Sequence, residues 1–216
     1  MSQSDTILAM YEAMHSSLGP SHWWPGETPF EIAVGAILTQ NTNWQNVKKA
    51  IANLKAHDLL DARAMHDLPL TELAELIRPA GYYNVKARRI ANFLNFLKEE
   101  ADYDLKSLKS EPLYELRPKV LGVNGLGPET ADSILLYALD FPTFVVDAYT
   151  ARLMDRHGLS YEGIDYYELQ AIFMDALPED VALYNEYHAL IVRVGKDWCK
   201  KKAGLCDTCP LKPFLE

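Results

Sequence analysis

Residues 123–131 read Val-Asn-Gly-Leu-Gly-Pro-Glu-Thr-Ala, and this segment does most to set the expected fold. Gly125 and Gly127 permit a tight turn, and Leu126 between them can anchor that turn in an apolar core. Pro128 suits the first position of a helix, where its missing N–H has no intrahelical partner. Such a turn presents N–H groups and the positive end of a helix dipole to an anion, and a phosphate would fit it. An ordinary glycine-rich connection between two helices is the alternative.

A carboxylate follows the next apolar helix, in the segment Val145-Val146-Asp147-Ala148-Tyr149-Thr150. Aspartate is a common N-cap, and Asp147 is predicted to cap a helix that begins near Ala148. A carboxylate among apolar residues can also stabilise a developing sugar cation or orient a water for attack at a sugar carbon. The two roles are compatible.

Apolar residues recur at helical spacing along most of the chain, which predicts an all-α protein. Pro29 marks one helix start, and Asp165 with Glu168 has the spacing of a capping box at another. The run Phe141–Val146 has some strand propensity, but its Pro142 and its short length favour a buried connection.

The composition describes a globular protein of 216 residues, 49% hydrophobic and 24% charged. The chain lacks an apolar run of membrane length and a signal peptide, which predicts a cytoplasmic protein without membrane contact. The net charge of -9 weighs against a nucleic-acid partner, because proteins that bind phosphates usually carry excess Lys and Arg. Basic residues nevertheless form two local clusters, which are either phosphate contacts or solvated helix faces: Lys86, Arg88 and Arg89, and Lys196 with Lys200–Lys202.

With two upstream segments, these motifs resemble the endonuclease III family of helix-hairpin-helix DNA glycosylases. The upstream segments are Gly-Ala-Ile-Leu-Thr-Gln-Asn-Thr at 35–42 and Gly-Tyr-Tyr-Asn-Val-Lys-Ala at 81–87. The resemblance runs from about Pro29 to the C-terminus, with the motifs in the family's order. It implies two helical domains with a DNA-binding cleft between them. Residues 29–136 would form a six-helix domain with the hairpin, and residues 1–28 plus 137–216 a second domain with a C-terminal cysteine loop.

The resemblance also assigns roles to the hairpin and to the aspartate. Asp147 matches the family's catalytic aspartate, and Gly125–Gly127 match the phosphate-binding hairpin, whose carbonyls can hold a monovalent cation in the family. Glu129 stands where members that also cleave the strand carry a lysine. A glutamate cannot form an imine, so the lyase route should be absent and water should be the nucleophile.

Three further residues match positions that contact DNA around an extruded base. Gln40, next to Asn41, matches the residue that fills the gap in the duplex, and Tyr82 lies where the family places a wedge. Base flipping requires both functions, because a stacked base cannot reach a catalytic pocket. The alternatives are a surface polar residue for Gln40 and a core aromatic for Tyr82.

Tryptophans near these motifs resemble a branch of the family that removes N3-methyladenine. The region of resemblance begins at about Pro29. Just before it lie Trp23, Trp24 and Pro25, and Trp44 follows the segment that contains Gln40. Alkylated purines are electron-poor or cationic, so indole faces attract them by stacking and cation-π interaction. The alternative is that these tryptophans serve only core and interface packing.

All three cysteines lie near the C-terminus, and their spacing resembles the family's iron–sulfur loop. Cys199, Cys206 and Cys209 match its first three cysteines, whereas Leu215 stands in the fourth place. Three thiolates could hold a [4Fe-4S] cluster whose last iron takes water, Glu216 or the chain terminus, or else a [3Fe-4S] cluster. A zinc ion with one water and an empty site are the remaining alternatives, and the [4Fe-4S] cluster is the prediction.

These features predict a monofunctional base excision repair glycosylase for alkylated purines such as N3-methyladenine. One alternative is a glycosylase/AP-lyase for oxidised pyrimidines or mismatched bases, which shares the backbone motifs and differs in the pocket. The other is a non-catalytic DNA-binding module, against which Asp147 argues. The predicted partner is double-stranded DNA with a damaged base, and the predicted form is a nucleoid-associated cytoplasmic monomer.

Overall fold

The computed structural model describes residues 2–215. Apart from an isolated β-bridge between Cys199 and Gly204, the regular secondary structure of these residues is helical. The prediction of an all-α protein is confirmed. No helix in this part of the chain is both long and apolar enough to cross a bilayer. The α-helices are α1 (Gln3–Leu18), α2 (Pro29–Leu38), α3 (Trp44–Ala56), α4 (Ala62–Asp67), α5 (Leu70–Leu76), α6 (Tyr83–Ala101), α7 (Leu113–Leu121), α8 (Pro128–Ser133), α9 (Ala148–Arg156), α10 (Tyr166–Ala176) and α11 (Val181–Asp197).

The chain forms two compact units. One unit contains the described residues up to Trp23 and from Pro142 onwards, and the other spans Trp24–Phe141. The predicted boundaries followed residues 28 and 136. They differ from the observed ones because Trp24 packs on Trp44 within the second unit, with ring centroids 5.2 Å apart. At the other boundary, the Phe141 N–H donates to the Leu135 carbonyl of the same unit at 2.9 Å.

Helix α2 lies at the centre of the Trp24–Phe141 unit and is buried along almost its whole length. Pro29 takes its first position, as the sequence predicted, and the structure shows Thr28 as its N-cap. It packs against α3, α6, α8 and the π-helical turn Ile134–Ala138 that continues α8. This packing brings the residue that follows α2, Gln40, to the hairpin between α7 and α8.

The other unit is assembled from α1 and the helices after Pro142. Helix α1 packs on α10 and α11, and α9 packs on α11. The segment 142–146 has no regular secondary structure, and Phe144–Val146 are buried. The Gln170 side chain fixes this segment by donating to the Phe144 carbonyl at 2.6 Å. The run is therefore a buried connection, as predicted, and it delivers the chain to Asp147 in a defined position.

Candidate active site

Asp147 is the N-cap of α9, and one of its carboxylate oxygens accepts three hydrogen bonds. The Tyr149 and Thr150 N–H groups donate to Oδ1 at 2.8 Å, and the Thr150 hydroxyl donates to it at 3.0 Å. The Asp147 N–H donates back to Thr150 Oγ1 at 3.3 Å, which completes a capping box. The predicted cap is thus present and uses Oδ1, so Oδ2 is the oxygen left for other chemistry.

Close packing of α9 on α11 brings a histidine to Oδ2. A Cβ at Gly195 would lie 2.4 Å from Tyr149 Cδ1, so only glycine permits this approach. His188 lies seven residues before Gly195 on α11, on the same face of the helix. Its Nε2 is 3.7 Å from Asp147 Oδ2, and the two side chains are only 9% and 13% exposed. The buried carboxylate and the imidazole therefore form a pair.

The surroundings of Asp147 favour the charged carboxylate. Burial by itself would raise its pKa, because a charge is poorly solvated in the interior. The pairing with His188 and the hydrogen bonds from Thr150 act in the opposite direction and prevail, so the pKa of Asp147 lies below its ordinary value. The site thus holds an ionised carboxylate at neutral pH.

The hairpin between α7 and α8 is a tight turn anchored in the core. Gly125 has a φ of +95°, and Leu126 is buried. The Leu126 N–H donates to the Val123 carbonyl at 3.0 Å, so this N–H is used inside the turn. Helix α6 contacts the turn from the side, where Asn92 Nδ2 donates to the Asn124 carbonyl at 2.9 Å. The hairpin is therefore fixed to α6 as well as to its own two helices.

The structure places Gln40 against this hairpin. Its Nε2 donates to Thr130 Oγ1 at 2.8 Å and to the Gly125 carbonyl at 3.3 Å, while Arg89 Nη1 donates to its Oε1. Arg89 also covers Gly125, because a Cβ there would lie 2.5 Å from Arg89 Cγ. Gln40, Arg89 and the hairpin therefore form one hydrogen-bonded group.

Lys86 is buried, which corrects its interpretation as a phosphate contact or a solvated residue. The side chain is 1% exposed, and Nζ donates to the Leu38 carbonyl at 2.9 Å and the Ala80 carbonyl at 2.7 Å. Burial and the nearby Arg89 lower the pKa of Lys86 to about 8. The ammonium group ties the end of α2, before Gln40, to the turn before Tyr82.

Tyr82 and Asn41 are exposed and adopt strained backbone conformations. The Tyr82 residue is 71% exposed, so the alternative of a core aromatic is wrong. Its φ is +47° and that of Asn41 is +53°, a region that residues other than glycine rarely adopt. Such strain persists where the surrounding structure enforces it, and it is concentrated at functional sites.

Three of the four residues predicted for the base pocket line one cavity of about 230 Å³: Trp24, Pro25 and Trp44. The rings of Trp24 and Trp44 meet edge to face, and Gly35 leaves room for Trp24. Glu31 and Lys55, whose charged groups are 3.1 Å apart, also line the cavity. Trp23 lies in the other unit, where it lines a different cavity with Arg193 and Lys196. Trp23 and Trp24, although adjacent in the chain, thus belong to different units.

Glu129, in the position where a lyase would carry lysine, is exposed in the first turn of α8. A carboxylate in the first turn is favourable for a helix because of the helix dipole.

The three cysteines and Leu215 line a single cavity in the first unit. Arg156 Nη1 donates to Cys199 Sγ at 3.2 Å, and a Cβ at Gly204 would lie 2.9 Å from Cys206 Sγ. Among residues 2–215, no three His, Cys, Asp or Glu side chains are arranged around one metal ion. The ligands of an iron–sulfur cluster bind several iron ions, so they need not converge on one point. Glu216, a predicted alternative ligand, lies outside the described residues.

Sequence reasoning missed His188 and the partners of Gln40. His188 lies on the apolar face of α11, where a histidine more often serves packing than chemistry. The sequence indicates Arg89 only as a member of a basic cluster. No sequence signal pairs either residue with its partner, because the partners are distant in the chain.

Comparison with known proteins finds relatives of this chain among DNA repair proteins. The model of the HhH-GPD superfamily of base excision DNA repair proteins matches residues 34–179. A candidate DNA repair glycosylase of Methanocaldococcus jannaschii is 48% identical over 211 residues, covering 97% of this chain and 96% of that protein. The 3-methyladenine DNA glycosylase of H. pylori, bound to 1,N6-ethenoadenine, is 28% identical with a TM-score of 0.78, covering 91% and 98%. A non-covalent endonuclease III–DNA complex has a TM-score of 0.84 over 100% and 96% of the chains, and its 21% identity shows the fold alone.

Proposed function

The chain belongs to the HhH-GPD superfamily of base excision DNA repair proteins, and from this premise we propose a monofunctional DNA glycosylase for alkylated purines. The observation that carries the proposal is the buried, ionised Asp147 carboxylate at the start of α9, with Oδ2 beside His188. Burying a charged group costs free energy, and a non-catalytic DNA-binding module would have no need for such a group.

In this proposal Asp147 acts electrostatically on the sugar of an extruded nucleotide. As the bond between base and sugar breaks, positive charge develops on the sugar, and a carboxylate that is already oriented stabilises it without reorganisation. Oδ1 keeps the group fixed through its three hydrogen bonds. Oδ2 faces His188 and would orient the attacking water.

Base release from a panel of duplexes, each with a single lesion, tests the proposal. We expect N3-methyladenine to be released faster than oxidised pyrimidines or mismatched thymine. Faster release of an oxidised pyrimidine or of the mismatched base would favour the alternative substrate class, and absence of release from every duplex would favour a binding module.

His188 should set the lower pH limit of activity. The pKa of Asp147 lies below its ordinary value, so the carboxylate should stay charged further into the acid range than a free aspartate would. Activity and the stabilising contribution of the carboxylate should be lost only as the pH falls through that lowered pKa. His188→Gln removes the largest influence that lowers this pKa, while burial remains. The acid limb of the single-turnover pH–rate profile should therefore move to higher pH. The exposed His57→Gln serves as a control, and an unmoved limb in His188→Gln would contradict the pairing.

Glu129 supports a hydrolytic route without a covalent intermediate. We expect borohydride to trap no complex between this protein and a duplex with an abasic site, because no imine-forming lysine stands at this position. A bifunctional endonuclease III, treated in parallel, provides the positive control. A trapped band from this protein would show that another lysine attacks the sugar.

The preference for alkylated purines is supported by the cavity that Trp24 and Trp44 line. Aromatic faces attract electron-poor and cationic bases more strongly than normal ones, by about 0.5–2 kcal/mol per contact. The H. pylori glycosylase, which shares 28% identity, is a 3-methyladenine enzyme bound to an ethenoadenine.

Removal of either ring should affect the lesion more than the DNA. We expect Trp24→Ala and Trp44→Ala to slow release of N3-methyladenine by roughly tenfold, consistent with loss of one stacking contact. Affinity for undamaged duplex should change less than twofold or so, since the phosphate contacts remain. Tyr167→Ala, which removes a half-exposed ring on α10, is the matched control. Equal losses of excision and of binding to undamaged DNA would identify the tryptophans as structural.

We also propose that Cys199, Cys206 and Cys209 hold a [4Fe-4S] cluster, supported by their common cavity and by the glycine beside Cys206. When bound, the cluster would supply a rigid structural centre rather than redox chemistry. Its loop carries Lys200–Lys202, which would then contact the DNA backbone.

The proposed hairpin cation would compete with Gln40 for the Gly125 carbonyl. The proposed partner is damaged double-stranded DNA, and the proposed form is a nucleoid-associated monomer.

A further inference from the structure

The cavity of the three cysteines contains a histidine as well as Leu215. His157 follows the last residue of α9 and contributes to the same lining as Cys199, Cys206 and Cys209. The remaining wall of the cavity is largely apolar. A fourth side chain with a metal-binding atom therefore lines the cavity that the three cysteines share.

The tautomer of His157 is fixed by a backbone carbonyl. Its Nδ1 lies 3.1 Å from the Phe214 carbonyl oxygen. A carbonyl only accepts hydrogen bonds, so Nδ1 must carry the proton, and in the neutral ring Nε2 then carries a lone pair. Metal-bound histidines are typically oriented in this way, with the second ring nitrogen donating to a carbonyl or a carboxylate.

Resting on the cluster proposed above, we infer that His157 is its fourth ligand, with Nε2 bound to the iron that a fourth cysteine would otherwise hold. Phe214 immediately precedes Leu215, so the segment that would carry a fourth cysteine instead orients the histidine. The cationic neighbours cannot take this role, because Arg156 and Lys212 offer only donor groups. Both already donate, Arg156 to Cys199 Sγ and Lys212 to Asp207.

Spectroscopy of the full chain tests the ligand directly. The protein is purified without oxygen, assayed for iron and sulfide, and reduced by irradiation at low temperature. Pulsed electron paramagnetic resonance should then detect a strongly coupled ¹⁴N nucleus. Protein labelled with ¹⁵N-histidine should show the corresponding ¹⁵N signal in its place. This labelled sample needs no substitution, so it decides the question even if variants at this position fold poorly.

Variants supply a second readout. His157→Ala should lose the nitrogen coupling and, in air, lose iron on the order of tenfold faster, as expected for a weakened metal site. Adding Leu215→Cys to His157→Ala should restore iron retention without restoring the nitrogen signal. His57→Ala is the matched control, because His57 Nδ1 also lies 2.9 Å from a backbone carbonyl, that of Asn53.

The outcomes separate the two proposals. An iron–sulfur cluster without histidine coupling, or one unchanged by His157→Ala, would overturn the ligand assignment and leave the cluster standing. A protein that contains only zinc, or neither iron nor sulfide, would overturn both.

Discussion

Asp147→Asn should reduce the rate of base release on the order of a hundredfold or more while leaving the fold nearly intact. Asparagine keeps an oxygen that can accept from the Tyr149 and Thr150 N–H groups and from the Thr150 hydroxyl. The substitution removes the negative charge, and with it the attraction to His188 and to a developing sugar cation. Chemistry should therefore suffer far more than stability.

Single-turnover base release and thermal unfolding measure the two effects separately. Asp165→Asn is the matched control, because Asp165 caps α10 through the equivalent pair of backbone N–H groups, those of Tyr167 and Glu168, at 2.7 and 2.9 Å. Both variants should lose about 1 kcal/mol of stability or less. Only Asp147→Asn should lose activity. A near-normal rate of base release by Asp147→Asn, together with a lowered melting temperature, would show that Asp147 serves only as a helix cap.

Gly125→Ala should lower both the affinity for DNA and the stability of the protein. The φ of +95° is unfavourable for alanine, and the new Cβ would lie 2.5 Å from Arg89 Cγ. We expect a loss of about 2 kcal/mol, which corresponds to a melting temperature roughly 4–8 °C lower. Displacement of Arg89 should also release Gln40 from the hairpin, since Arg89 donates to its side chain.

Duplex affinity should fall by about tenfold or more, because each hydrogen bond to a charged phosphate contributes about 1.5–3 kcal/mol. The matched control is Gly127→Ala, where φ is -82° and nothing lies within 4 Å of the added Cβ. Its stability should remain near that of the unchanged protein. A Gly125→Ala protein that is as stable as the unchanged protein would show that the hairpin does not need this glycine. Normal DNA affinity in the same variant would contradict phosphate binding by the hairpin.

Local chemistry made much of the fold readable from the sequence. The sequence predicts helix starts at Pro29, at Pro128 after Gly127, and at Ala148 after Asp147, and the structure has helices that begin at those positions. Each signal acts within one helical turn, through a cap or a missing N–H, so it does not depend on the rest of the fold. The ordered motifs added the family, because their sequence pattern is specific even where their contacts are unknown.

Tertiary structure alone decided which side chains meet. His188 reaches Asp147 only because Gly195 lets α11 approach Tyr149, and His157 faces the cysteines only because the C-terminal segment returns beside α9. Lys86 looked like a surface charge, yet two backbone carbonyls bind its ammonium group inside the core. These contacts join residues far apart in the chain, and packing of whole helices determines their distances. A pattern of neighbouring residues predicts the helices, but it contains no information about how closely two of them approach.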